Sequence, residues 1–163
     1  VNCAGAWAGS FSPVPVPVRP IKGQMLCLVT GAPLLRHVVH GNGVYVVPRS
    51  DGRIIVGSTV EDVGFDKRVD PDTIQRLRQA AAVLVPALGQ ARMHDTWAGL
   101  RPCTPDKLPA IGSTSVEAYF VATGHFRDGI LLAPITARLV TQLLLRQQPE
   151  IDVEEFSPLR FAA

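Results

Sequence analysis

No Gly-x-Gly-x-x-Gly occurs in this 163-residue chain. It therefore lacks the fingerprint that seats a dinucleotide pyrophosphate on a helix N-terminus. Gly41-Asn42-Gly43 comes nearest, but the third glycine is missing and no helical pattern follows. Cys3, Cys27 and Cys103 are odd in number, far apart and never arranged as CxxC. That excludes a zinc knuckle or a disulfide framework and suits a reduced, cytoplasmic compartment. No apolar run approaches the roughly 20 residues that a spanning helix needs. The longest run, near the C-terminus, is broken by Pro134, Thr136 and Arg138. Charge of one sign is not concentrated either: the formal net charge is +2 and the basic residues are scattered. A nucleic-acid footprint needs them clustered. The opening Val1-Asn2-Cys3-Ala4-Gly5 reads as a strand entering a glycine turn, without the basic stretch of a secretion signal. No metal-ligand constellation and no internal repeat is present.

What remains is an apolar-rich chain, 47% hydrophobic, able to bury a core as one domain or parts of two. Residues 13–20 alternate proline and valine before Arg19-Pro20, which predicts a stiff extended connector. Lys22 to Val29 reads as a strand. Gly43 to Pro48 and Arg53 to Ser58 are β-branched runs joined by Arg49-Ser50-Asp51-Gly52, a hairpin signal. Alternation puts Tyr45 and Val47 on one face and Val44 and Val46 on the other. Asp70-Pro71-Asp72 starts a helix with an Asp cap and Pro in the first position. Ile74, Leu77, Ala81 and Leu84 follow at helical spacing, and Pro86 ends the run. Arg92 to Leu100 and Ala118 to Thr123 predict two more strands. A helix over residues 129–147 follows, with Pro134 tolerable near its first turn. Asp152 to Ala163 reads as a tail.

Two stretches carry the chemistry: Trp97-Ala98-Gly99-Leu100-Arg101-Pro102 and Gly124-His125-Phe126-Arg127-Asp128-Gly129. Each sets one arginine among glycines and bulky apolar residues. A buried guanidinium needs an anion. Arg101 is thus either half of a structural ion pair or a planar clamp for a carboxylate. Gly124 and Gly129 allow close backbone approach, and a helix start offers free amides and positive dipole to a negative group. Taken alone, this segment also reads as an ordinary βα turn. Tyr45 is open between a pocket residue and a half-buried strand tyrosine. His37, His40 and His94 have no partner pattern, and Cys103 reads as an apolar filler.

These stretches, with Asn2 to Trp7, Pro17 to Gln24, Tyr45 to Arg49, Ile55 to Thr59 and Gly124 to Pro134, occur in an order and spacing that resembles the C-terminal half of the glycine oxidases. These are FAD-dependent amine oxidases of the D-amino-acid oxidase superfamily. The resemblance implies an α+β fold, a mostly antiparallel sheet with covering helices plus returning elements of an FAD-binding domain. The ADP-binding βαβ unit lies outside this chain. It implies three segments: residues 1–18, the end of an FAD-binding segment with its Pro-rich linker; 19–101, a substrate-binding domain; and 102–163, the return to the FAD-binding domain with a C-terminal helix and tail. It further implies oxidative deamination of a small amino acid, glycine favoured, by hydride transfer to non-covalent FAD. The products are an imine and then a keto acid, ammonia and hydrogen peroxide, with dioxygen as acceptor. A place in thiamine biosynthesis, a cytoplasmic homo-oligomer and an inactive state for this portion alone are implied as well.

By the same resemblance, Tyr45, Arg101 and Arg127 bind substrate. Ala4, Gly5, Trp7, Gly99, Gly124, His125, Arg127, Asp128, Gly129, Ile130 and Leu131 meet the cofactor. No side chain serves as an essential acid or base, so His125 positions backbone or touches the cofactor. A cysteine that attaches FAD covalently in some sarcosine oxidases falls at Gly99, hence the non-covalent expectation. Gly43 stands where glycine oxidases can carry a histidine, and Val60 where a methionine lines the pocket, so side-chain selectivity is open. A D-amino-acid dehydrogenase, a sarcosine oxidase and a non-catalytic small-carboxylate-binding module are the alternatives.

Overall fold

The computed structural model describes residues 1–162. The chain forms two compact units. One comprises residues 22–99, the other residues 1–21 together with the described residues from Leu100 onward.

The 22–99 unit is organised by a five-stranded sheet. Its strands are β1 (Arg19–Val29), β2 (Val39–Gly41), β3 (Val44–Pro48), β4 (Arg53–Gly57) and β5 (Arg92–Cys103), in the order β2-β3-β4-β1-β5. The ends of β1 and β5 carry the chain across the boundary of the unit. Strand β4 pairs antiparallel with both β1 and β3. Leu26 lies opposite Val56, Leu28 opposite Ile54, and Val46 opposite Val56. With a side-chain period of two, these residues and Val44 share one face. Helix α1 (Pro71–Leu84) covers it with Ile74, Leu77 and Ala81, and all of these are buried in one core. Each large apolar side chain so buried contributes about 1.5–3 kcal/mol. Met25, Cys27, Tyr45 and Val47 lie on the opposite face by the same alternation.

Both turn signals act as read. Gly52 takes φ +82°, and Asp51 accepts from the Arg53 amide at 3.1 Å. Asp70 caps α1 by accepting from the Thr73 amide at 3.1 Å, with Pro71 in the first helical position.

The second unit holds a two-stranded antiparallel sheet, β6 (Ala110–Ser113) and β7 (Phe120–Thr123), and helix α2 (Gly129–Leu144). Asn2 pairs in parallel with Val121 on β7. Ala8, Val16, Ala110 and Val121 make its core, with Val14, Val18, Tyr119 and Phe161 packed against them.

Several boundaries differ from the expectations. Strand β5 continues through Pro102 to Cys103. Strand β7 starts at Phe120, because Ala118 holds φ +57° and cannot extend the ladder. Residues 13–20 are extended but not a free connector: Val16 is buried, and Arg19 and Pro20 already belong to β1. Helix α2 passes through Pro134 in its second turn and stops at Leu144, three residues short of Gln147. Arg146 adopts φ +56°, its amide meets the Leu143 carbonyl at 3.1 Å, and the Gln147 amide returns to Gln142 at 2.8 Å. That is a Schellman ending without glycine. The described part of the tail, residues 152–162, is docked (Ala163 lies outside the described residues): Glu154–Phe156 and Pro158–Phe161 form short 3₁₀ turns, Pro158 is buried, and Arg160 bonds Asp106 at 2.8 Å. Neither β6 nor the 3₁₀ turn Gly5–Phe11 had an expectation attached. No helix among the described residues is long and apolar enough to cross a membrane.

Candidate functional site

Parallel pairing of Asn2 with β7 sends both segments out of the sheet in the same direction. One runs into the Ala4-Gly5 turn and the other into Gly124. Ligands gather at the carboxyl ends of such strands, where turns and helix starts expose backbone donors. Asn2 fixes the first turn: its side-chain amide donates to the Ala8 carbonyl at 2.9 Å and to the Tyr119 hydroxyl at 2.8 Å. Thr123, the last residue of β7, donates to the Gly5 carbonyl at 3.0 Å and so ties the two turns together. Gly5 has φ +56° and open space where a Cβ would stand, and Trp7 beside it is exposed.

Gly124 has φ +80°, and a Cβ there would lie 2.6 Å from the Thr104 methyl. Glycine is required on both counts. The chain then makes a tight loop to α2. The Phe126 amide donates to the Pro102 carbonyl at 2.8 Å, and Cys103 bridges His125. The two motifs that stood out in the sequence are therefore stitched to each other, which brings Arg101 within two residues of that bridge. Arg101 is half-buried and already has a partner within the structure. Arg127 and Asp128 are exposed.

Helix α2 begins without a side-chain cap, since Asp128 makes no capping bond. The first-turn amides of Gly129, Ile130 and Leu131 have no intrahelical acceptor. Ile130 is 96% exposed and Leu131 77% exposed, an unusual place for such side chains. His125 is half-buried, and its Nε2 lies 2.9 Å from Thr136 Oγ1. Burial pushes its pKa below the ordinary histidine value.

Tyr45 and Gly99 belong to the 22–99 unit. Tyr45 pairs across the ladder with Gly57, and its ring crosses the glycine, where a Cβ would lie 2.7 Å from the hydroxyl. Its hydroxyl meets the Met25 sulfur at 3.9 Å and its ring tilts against His40. Gly99 is exposed on β5, with open space at its Cβ position. His37, His40 and His94 are exposed, and Cys103 is buried. Among the described residues no His/Cys/Asp/Glu cluster has metal-site geometry.

One polar group in the 22–99 unit went unread. Gln24, on β1, is fully buried. It donates to Glu61 at 2.9 Å and accepts from the Asp70 amide at 2.7 Å. Thr59 also bonds Glu61, and Lys22 Nζ lies 3.8 Å from it. Burial pushes the Glu61 pKa up, but the Thr59 and Gln24 hydrogen bonds and the Lys22 charge outweigh it and leave it lowered. A cavity of about 410 Å³ opens beside this group, lined by Gly43, Thr59, Glu61 and Arg76 among others. The available signal was a Lys and a Gln inside a buried strand. Their partners lie far along the chain, and only the sheet register names them.

A free helix start, two glycine turns at the ends of parallel segments and exposed apolar side chains beside them suit an anionic, partly apolar ring system such as a reduced flavin. The chain belongs to the FAD dependent oxidoreductase family, whose model matches residues 1–143. It is 39% identical to the glycine oxidase of Pseudomonas aeruginosa over 95% of its length, covering 44% of that protein. It is 43% identical to the bifunctional protein ThiO/ThiG of Trichormus variabilis over 99% of its length, covering 25% of that protein. The crystal structure of glycine oxidase from Geobacillus kaustophilus superposes with a TM-score of 0.90 at 39% identity, over 96% of this chain and 44% of that one. The chain thus spans a quarter to under half the length of these relatives.

Proposed function

We propose that this chain is the substrate-side portion of an FAD-dependent amino-acid oxidase acting on a small amino acid, with glycine the favoured substrate. The observation that carries this reading is the stitched pair of motifs: the β5 end bearing Arg101 bridges the Gly124 turn that leads into the uncapped α2 start. The likeness to proteins named glycine oxidase supports it.

Bound flavin would take a hydride from the substrate Cα and pass the electrons to dioxygen, giving hydrogen peroxide and an imine that water hydrolyses to a keto acid and ammonia. The protein's part is to bind and orient. The amides of residues 129–131 and the α2 dipole favour negative charge on the cofactor ring. Gly5, Ala4 and Trp7 supply the neighbouring wall. Arg101 grips the substrate carboxylate with two parallel hydrogen bonds, exchanging its present partner for the ligand. Arg127, in the same unit as Arg101, flanks the substrate. No proton transfer is assigned to His125. Thiamine-related glycine oxidation in a homo-oligomer is the setting in which we place the whole protein.

The test uses the full-length parent with FAD and glycine. Equal yields of glyoxylate, ammonia and hydrogen peroxide are expected; no peroxide from glycine or any other small amino acid overturns the reading. Arg101→Ala should raise the amino-acid KM by about a hundredfold, as loss of a charge-pair partner does, with FAD still bound. An unchanged KM removes the clamp role.

A further inference from the structure

Five residues, 124–128, separate β7 from α2, and their hydrogen bonds are unevenly shared. The loop's main chain is held at Phe126 by the Pro102 carbonyl, at 2.8 Å, and at Asp128 by the His125 carbonyl, at 2.9 Å. The side-chain link to the body of α2 is His125 to Thr136, at 2.9 Å, eleven residues apart. Thr136 is buried, one of only two helix residues that are. A Cβ on Gly129 would sit 3.5 Å from the His125 Cβ, so the ring's stem also lies against the first residue of the helix. We propose that His125 and Thr136 form a positioning pair that sets the angle at which the first turn of α2 presents its amides, and through it the affinity for flavin.

This inference rests on the flavin reading above. Loop segments are floppy unless tied to the element they feed. Here the tie comes from Thr136, the eighth residue of α2 and two positions beyond Pro134. The ring meets Thr136 from α2, while the His125 backbone bridges Cys103 of β5. Burial alone shifts its titration, and downward. Protonation would place a charge in a half-buried site, so the loop should loosen as pH falls below the ordinary histidine value.

Three variants separate positioning from packing: Thr136→Val removes the hydroxyl, Thr136→Ser keeps it, and His125→Gln cannot titrate. In this chain, hydrogen exchange at the Phe126, Asp128 and Leu132 amides is measured first. Thr136→Val should speed exchange about tenfold, the scale of one lost hydrogen bond, while Thr136→Ser matches the wild type. In the full-length parent, FAD affinity is then titrated between pH 5.5 and 8. Wild type and Thr136→Ser should weaken toward acid, and His125→Gln should show a flat profile. Unchanged exchange in Thr136→Val, or an acid decline that persists in His125→Gln, overturns the proposal. A parent that binds no FAD at any pH would instead defeat the functional reading, and the exchange data would still judge the pair.

Discussion

At the scale of single residues, the most demanding position is Gly124. Its φ of +80° lies in a region that L side chains occupy only at a cost, and the Thr104 methyl already fills the space of a Cβ. Gly124→Ala should therefore destabilise the chain by about 2 kcal/mol or more, readable as a lowered Tm. Gly5→Ala provides the contrast, since open space surrounds its Cβ position and only the backbone penalty applies. Equal losses for the two would show that the Thr104 contact relaxes freely. Glycine at 124 serves geometry first; whatever it lends to a ligand follows from that geometry.

At the scale of elements, local chemistry and long-range pairing divide what could be read in advance. The hairpin turn at Asp51-Gly52 and the Asp70 cap of α1 are both governed by residues within four positions, and both stood where expected. So did the glycine that ends β7. The end of α2 did not, because its αL residue is Arg146, which carries no turn signature. The 152–163 tail looked free because its anchors, Asp106 and Leu108, lie some fifty residues earlier. In the candidate site, Arg101, Gly124 and His125 were legible as unusual residues in unusual company. Asn2, Thr123 and Thr136, which hold them in place, were not: polar residues in short strands and helices are ordinary until the fold supplies partners.

The tail contact yields its own prediction. Hydrogen bonds from Arg160 hold the Asp106 carboxyl down to about 2, burial opposing them. Because the folded pKa is depressed, the docking energy is present above the ordinary aspartate pKa of 3.8 and is lost as pH falls toward 2. Limited acid proteolysis should cut after residue 150 more readily at pH 2.5 than at pH 4.5. Arg160→Ala should be cut readily at both. Tail cleavage independent of pH in the wild type would mean that this pair does not dock it.

At the scale of the whole molecule, α2 presents an apolar surface outward. Ile130, Leu131, Leu144 and Leu145 are exposed, and Ala133, Pro134 and Ala137 lie exposed between them. A monomer rarely leaves such a face uncovered. Ile130→Ser with Leu144→Ser should reduce light scattering of concentrated solutions while leaving Tm within about 1 °C, as exposed substitutions rarely change stability. Unchanged scattering would show that this face does not drive association.

Residues 22–99 close into one unit, whereas the other unit needs residues 1–21 to meet residues beyond 100. Asn2, for instance, must find Phe120 and Ala122. On the ribosome the two cannot be finished in the order in which they begin. The inserted unit can collapse once β5 has emerged, while Val14, Val16 and Val18 wait for partners still being synthesised. For those seconds of translation a strip of alternating proline and valine stays without its core partners. Its prolines, which cannot donate to a growing β-ladder, keep it from pairing with a neighbouring nascent chain.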